Sequence, residues 1–169
     1  MVSLTLDLKE RAQTIGLLCT DCDGVLTDAG VYYGENGEEL KKFSIRDGMG
    51  VERLRKLCGI ETGIISGERS PSLRTRAEKL NIQELHLGIK EKRERIAGVL
   101  KTHNLNWSEM AYIGDDVNDL ELIEHAGLTA TPSDGMSMVQ EKADYICSLP
   151  GGHGAFREFA ELIIKLRDV

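Results

Sequence analysis

The sequence predicts an α/β fold, a parallel sheet with helices on both faces. Three observations carry that expectation. Short apolar runs alternate with amphipathic stretches of helical period along the chain, the pattern of strand–helix units around a parallel sheet. Glycine is frequent and proline scarce, 18 and 3 among 169 residues, which suits many tight turns with few rigid breaks. Acidic and hydroxyl residues close several of the apolar runs, and such sheets bind ligands beyond the carboxyl ends of their strands.

Each element follows from its local pattern. Gly16 to Thr20 is a short apolar run that ends at Asp21, the signal of a buried strand. Val31 to Tyr33 and Leu40 to Ile45 read as a hairpin, because Asn36-Gly37 between them is a strong turn dipeptide. Val51 to Cys58 is helical, with Val51, Leu54 and Leu57 near one face. Thr62 to Ile65 is a second buried strand, and Ser70-Pro71 opens a helix through Leu80. Glu84 to Leu87 is a weak strand, followed by an amphipathic helix from Lys90 to His103. Met110 to Ile113 is a strand that runs into Gly114-Asp115-Asp116. Asn118 to His125 is helical, Leu128 to Ala130 a strand, Met136 to Lys142 a helix and Asp144 to Cys147 a last strand. Gly154 to Arg167 is an amphipathic helix carrying Phe156, Phe159, Ile163 and Leu166.

Residues 1–169 are read as one domain, a length that holds a full hydrophobic core. With 41% hydrophobic and 29% charged residues, the chain has enough apolar content to exclude disorder as its main state. The 21 basic and 28 acidic residues leave a net charge of −7, the wrong balance for a nucleic-acid partner. No apolar run approaches the ~20 residues of a membrane helix, and the first ten residues lack the apolar stretch of a signal peptide. A cytoplasmic protein with no membrane partner is expected. Cys19 and Cys22 form a C-x-x-C, but no second Cys/His pair follows at zinc-site spacing. They are read as strand residues.

Four constellations bear chemistry. Asp21-Cys22-Asp23-Gly24 places two carboxylates one residue apart where a strand enters a glycine turn. One can serve as nucleophile and metal ligand and the other as acid and base; a solvated acidic turn explains the motif alone nearly as well. Ser66-Gly67 follows the second buried strand, where a hydroxyl and backbone N–H groups suit a phosphoryl oxygen or an ordinary turn. Lys90 and Lys92 open a helix, an odd place for a cation unless an anion binds nearby. Gly114-Asp115-Asp116-Val117-Asn118-Asp119 puts three carboxylates in five residues at a strand end. They repel one another unless a cation such as Mg²⁺ is present, or they cap the helix that follows.

Together these motifs, in this order, resemble the four motifs of the haloacid dehalogenase superfamily of phosphatases, which implies a Rossmann-like fold. Further marks run from Gly34 to Phe43, through Arg46-Asp47-Gly48, to Gly151-Gly152-His153-Gly154-Ala155-Phe156-Arg157-Glu158. These resemble the group of 3-deoxy-D-manno-octulosonate 8-phosphate phosphatases, although His153 stands where that group often carries Arg or Lys. The resemblance implies that Asp21 attacks phosphorus to form an aspartyl phosphate. It implies that Asp23 protonates the leaving oxygen and then activates water, while Ser66 and Lys92 hold the phosphoryl group. Asp21, the Asp23 carbonyl and Asp115 would bind Mg²⁺. Asp116 would orient Lys92, and Asp119 would add a carboxylate to the metal site. Arg46, Gly67, Glu68, Arg76 and Lys79 would meet the sugar. Glu68, Arg76 and Lys79 also resemble nine-carbon ulosonate 9-phosphate phosphatases (KDN or N-acylneuraminate), so that substrate stays open beside the eight-carbon one, an intermediate of lipopolysaccharide biosynthesis.

Between Asp21 and Ser66 there is room only for the hairpin flap, about residues 30–45, and one helix. Between Ser66 and Lys92 there is room for one helix and one strand. Neither gap fits a cap domain, so a neighbouring subunit is expected to enclose the small sugar phosphate, and the resemblance implies a homotetramer. A non-catalytic oligomeric binding module of the same fold is the alternative, but it would be expected to lose Asp21, Asp23 or Lys92.

Overall fold

The computed structural model describes residues 2–168, with side chains from residue 6. The strands are β1 (Leu17–Thr20), β2 (Tyr32–Gly34), β3 (Gly37–Leu40), β4 (Glu61–Ser66), β5 (Glu84–Leu87), β6 (Met110–Ile113), β7 (Leu128–Thr131) and β8 (Tyr145–Ile146). The helices are α1 (Val2–Thr14), α2 (Ile45–Cys58), α3 (Pro71–Lys79), α4 (Lys92–His103), α5 (Leu120–His125), α6 (Ser137–Gln140) and α7 (Ala155–Leu166). Six strands form one parallel sheet in the order β5-β4-β1-β6-β7-β8. The chain moves outward from β1 in one direction through β4 and β5, then in the other through β6 to β8. That reversal opens a crevice at the carboxyl end of β1.

Strand residues alternate between two cores, as the pleat requires. Leu18, Ile64, Ala111 and Ile113 face α1, α2, α3 and α7, packing with Leu54, Leu73, Phe156 and Phe159. Leu17, Cys19, Ile65, Met110 and Tyr112 face α4, α5 and α6, packing with Ile96, Val99, Leu122 and Val139. Both sheet faces are therefore covered, which is why the strands read as continuous apolar runs. Cys19 and Cys22 are buried and unpaired.

Three elements differ most from the sequence expectation. Residues 2–14 form a helix that the sequence pattern does not announce. Its last carbonyls are satisfied from far away, since Arg167 donates to the carbonyls of Ala12, Gln13 and Ile15. Helix α2 starts at Ile45 rather than Val51, capped by Ser44, whose Oγ accepts from the Arg46 N–H. Its first turns contain Gly48 and Gly50, poor helix formers, but a Cβ on Gly50 would lie 3.1 Å from the Arg157 Cα. The close approach of α2 to α7 therefore requires the glycine that weakens the local signal. In the hairpin, β3 is Gly37–Leu40, and residues 41–44 leave the ladder to lead into α2.

Packing makes opposite predictions for two helix glycines. Gly50→Val should cost about 1–3 kcal/mol by overpacking the α2–α7 contact. Gly98→Ala in α4, where a Cβ would meet nothing within 4 Å, should stabilise the chain by up to about 1 kcal/mol. Urea unfolding of both variants checks the signs.

Candidate active site

Three strand ends build the site. Asp21 ends β1 with its backbone N–H bonded to the Ile113 carbonyl at 3.0 Å. The next turn is tight, because the Cys22 carbonyl accepts from the N–H groups of Val25, Leu26 and Thr27. Gly24 lies at φ +95°, and a Cβ there would fall 2.0 Å from Asp115 Oδ2. The D-x-D-G glycine is thus required both by its backbone and by the carboxylate that reaches over it from the β6 loop. Ser66 ends β4, buried, with Oγ accepting from the Glu68 N–H at 3.1 Å. The Ile89 N–H bonds the Ser66 carbonyl and the Gly88 N–H the Glu68 carbonyl, which joins the Ser66 loop to the turn before α4.

Lys92, in the first turn of α4, carries its ammonium into this crevice with its side chain only 3% exposed. It donates to Asp21 Oδ1 and Asp119 Oδ1, each at 2.7 Å. Asp119 is fully buried and saturated. Its Oδ1 also accepts from the Tyr112 hydroxyl at 2.5 Å, and its Oδ2 from the N–H groups of Asp115 and Asp116. The geometry therefore puts Asp119, not Asp116, on the Lys92 ammonium. Asp116 caps the short turn at 117–119 by accepting from the Val117 N–H. The i to i+4 reach from Asp119 back to Asp115 was the available sequence signal for this arrangement.

Asp21, Asp115 and Asp119 bring carboxylate oxygens within 4.8 Å of one another. Burial, then the charge of Asp119, pushes Asp21 up to about 7 against the pull of Lys92. Burial, then the charges of Asp21, Asp119 and Asp116, pushes Asp115 up to about 8. Asp115 Oδ1 is buried without a hydrogen-bond partner. An orphaned carboxylate oxygen beside a second crowded carboxylate, with only hard oxygen donors around, fits Mg²⁺. Asp119 has no oxygen to spare for it, which leaves Asp21 and Asp115 as the carboxylates free to ligate.

Asp23 stands at the rim with its side chain 26% exposed. Its Oδ1 accepts from Lys41 Nζ at 2.5 Å, a contact that sequence reasoning missed. Among the residues expected to meet substrate, Gly67 and Glu68 line an open cleft with Tyr33, Arg69 and Lys90. Arg76 is engaged within its own chain. Its Nη2 donates to the Ser44 carbonyl at 2.8 Å and its guanidinium lies over the Phe43 ring, so it clamps α3 to the start of α2. Arg46 and Lys79 are exposed on α2 and α3. His153 engages the Gly151 carbonyl through Nδ1.

Comparison with known proteins agrees with this fold. The family profile of haloacid dehalogenase-like hydrolases matches residues 68–156. The chain belongs to the haloacid dehalogenase-like hydrolases. Within them it is 38% identical over 162 residues to a 3-deoxy-D-manno-octulosonate 8-phosphate phosphatase of Yersinia pestis, covering 96% of this chain and 86% of the relative. A crystal structure of the Moraxella catarrhalis phosphatase of that name, in complex with a magnesium ion, a phosphate ion and KDO, superposes with a TM-score of 0.91. It is 34% identical, over 96% of this chain and 92% of that one. The cobalt-bound Haemophilus influenzae phosphatase gives a TM-score of 0.90 at 35% identity, over 94% and 92% of the two chains.

The raised carboxylates have a testable sign. Asp21 and Asp115 lie at about 7 and about 8 in the folded chain against an ordinary 3.8. The metal-free folded chain thus holds more protons than the unfolded one between those values, and its stability falls as pH rises through that window. In chelator, Tm should drop from about pH 4 to about pH 8, and the Tm gain on adding Mg²⁺ should grow over the same range. A Mg²⁺ effect independent of pH would place the metal on other groups.

Proposed function

We propose that this chain is a Mg²⁺-dependent phosphomonoesterase of a ulosonate sugar, with 3-deoxy-D-manno-octulosonate 8-phosphate as its substrate. The observation that carries the reading is the buried Asp21–Lys92–Asp119 arrangement, with the unpartnered Asp115 oxygen beside it and Asp23 at the rim. Asp21 attacks phosphorus, and the bond to the sugar oxygen breaks as Asp23 donates a proton to that oxygen. Asp23 then removes a proton from the water that attacks the aspartyl phosphate, which releases phosphate and restores Asp21. Two N–H groups of the Lys92 ammonium are engaged by Asp21 and Asp119, leaving the third for a phosphoryl oxygen. The Ser66 hydroxyl holds another. Asp21, Asp115 and the Asp23 backbone carbonyl would hold Mg²⁺, whose charge offsets the repulsion between a phosphate dianion and a carboxylate nucleophile. Asp119 orients Lys92 in this scheme.

Between β1 and β4 the chain inserts only the hairpin and α2, and between β4 and α4 only α3 and β5. The site therefore opens to water on its own protomer. Tyr32, Tyr33 and Leu40 are more than half exposed on the hairpin, and Ile45 and Met49 are exposed at the start of α2. Such a surface supports a homotetramer in which a neighbour's hairpin helps close the mouth. Four unpaired cysteines accord with a cytoplasmic setting, and no helix among the described residues is long and apolar enough to cross a membrane.

Asp21→Asn should retain the wild-type Tm and lose turnover by roughly four orders of magnitude or more. Activity near wild type would remove Asp21 from the nucleophile's role. A phosphate-release panel with Mg²⁺ tests the substrate. The eight-carbon ulosonate 8-phosphate should exceed nine-carbon ulosonate 9-phosphates and simple sugar phosphates in kcat/KM by at least about tenfold, or about 1.4 kcal/mol. A nine-carbon preference would replace the assigned sugar, and equal rates on all monoesters would undo it while leaving the phosphatase.

A further inference from the structure

Lys41 and Lys42 are adjacent in sequence and have opposite fates. The Lys42 side chain is 58% exposed and pairs with Asp28 at the surface, whereas the Lys41 side chain is 1% exposed. Withdrawing an ammonium from water costs several kcal/mol and is sustained only by close partners. Lys41 has two. Its Nζ lies 2.5 Å from Asp23 Oδ1 and 3.5 Å from Glu38 Oε2. Glu38 is itself held, since its Oε1 accepts from the Ser70 hydroxyl at 2.5 Å. Ser70 is the N-cap residue of α3 and is buried. A continuous polar chain thus runs from the start of α3, through the hairpin, to the carboxylate at the rim of the crevice.

The hairpin does not need this charge for packing, because an apolar residue would fill the space without the desolvation cost. The lysine also stands apart from the Asp21, Asp115 and Asp119 cluster, which Lys92 serves. What it touches in the site is one oxygen of Asp23. The other, Oδ2, has no hydrogen-bond partner among the described residues.

We propose that Lys41 is a positioning residue for Asp23, which by engaging Oδ1 fixes the carboxyl plane and leaves Oδ2 as the oxygen that exchanges protons during the reaction. Because Lys41 directly follows β3 and is held by Glu38 of that strand, Asp23 is held in this way only while the hairpin is docked on α3. The inference rests on the reading of Asp23 as the acid and base of the proposed reaction.

Leaving-group dependence tests it. The value of kcat/KM reports steps through departure of the leaving group, where an alkoxide needs a proton and a dinitrophenolate does not. Lys41→Met should therefore lower kcat/KM for the best sugar phosphate of the panel by about 100-fold, far more than for 2,4-dinitrophenyl phosphate. The ratio of the two values should move by at least about thirtyfold, and Lys41→Arg should recover part of it. If Lys41→Met does not fold, Glu38→Gln, which loosens the same lysine, should move the ratio in the same direction. An equal loss on both substrates would make Lys41 a structural ion pair or a phosphate contact and would overturn the proposal. Asp23→Asn separates the two readings. If it shifts the ratio and the hairpin variants do not, the positioning role is wrong. If it does not shift the ratio, the reading of Asp23 as acid has failed.

Discussion

Lys92 holds its ammonium almost out of water, 2.7 Å from one carboxylate at the end of β1 and another in the loop after β6. Burial alone would favour its neutral form, but the charges of Asp21 and Asp119 outweigh that and hold it protonated. Removing both carboxylates would leave a buried charge uncompensated, a loss of several kcal/mol. The sheet order follows from the same demand. Only the reversal of direction at β1 brings the end of β1, the loop after β6 and the first turn of α4 to one point. Asp119 then carries the arrangement further. Its four donors come from Lys92, Tyr112 and the backbone of Asp115 and Asp116, so the loop bearing Asp115 is fixed by the residue that fixes the lysine.

One ammonium does not neutralise three carboxylates. Burial first, and then that surplus, raises Asp21 and Asp115, and one Asp115 oxygen stays unpartnered. A site with this imbalance is organised for a cation and an anion together, which is the demand of a phosphate ester with its metal. The hairpin meets the crevice from the other side. It contributes Lys41 to Asp23 and presents Tyr32, Tyr33 and Leu40 to solvent, so one element reaches both into the site and toward a proposed neighbour.

Strand positions were largely legible in the sequence. β6 coincides with the apolar run read from it and β5 with the weak strand at 84–87, while β1 and β4 differ by a residue or two; β1, β4 and β6 are covered on both faces and have no polar alternation to confuse their limits. Helix starts were less legible. The first turns of α2 carry Gly48, crowded by Arg76 and Leu80, and Gly50, crowded by α7, and α1 is completed by Arg167 at the far end of the chain. The acidic motifs could be placed at strand ends by pattern. The division of labour between Asp116 and Asp119 could not, because it depends on which carboxylate turns inward.

The sequence by itself determined the alternation of strands and helices, the ends of strands on which Asp21, Ser66 and Asp115 fall, and the absence of room for a cap between them. These are local properties, set by hydrophobic period, turn chemistry and spacing. The tertiary structure alone decided the partners of the long side chains. Arg76 was free, as a sequence element, to face substrate; in the fold it spans to Ser44 and Phe43. Lys41 and Lys42 were indistinguishable as neighbours; in the fold one reaches Asp23 and the other the surface. Flexible charged side chains extend well beyond their own backbone, and their final contacts depend on which distant segment supplies an opposite charge or an unsatisfied carbonyl.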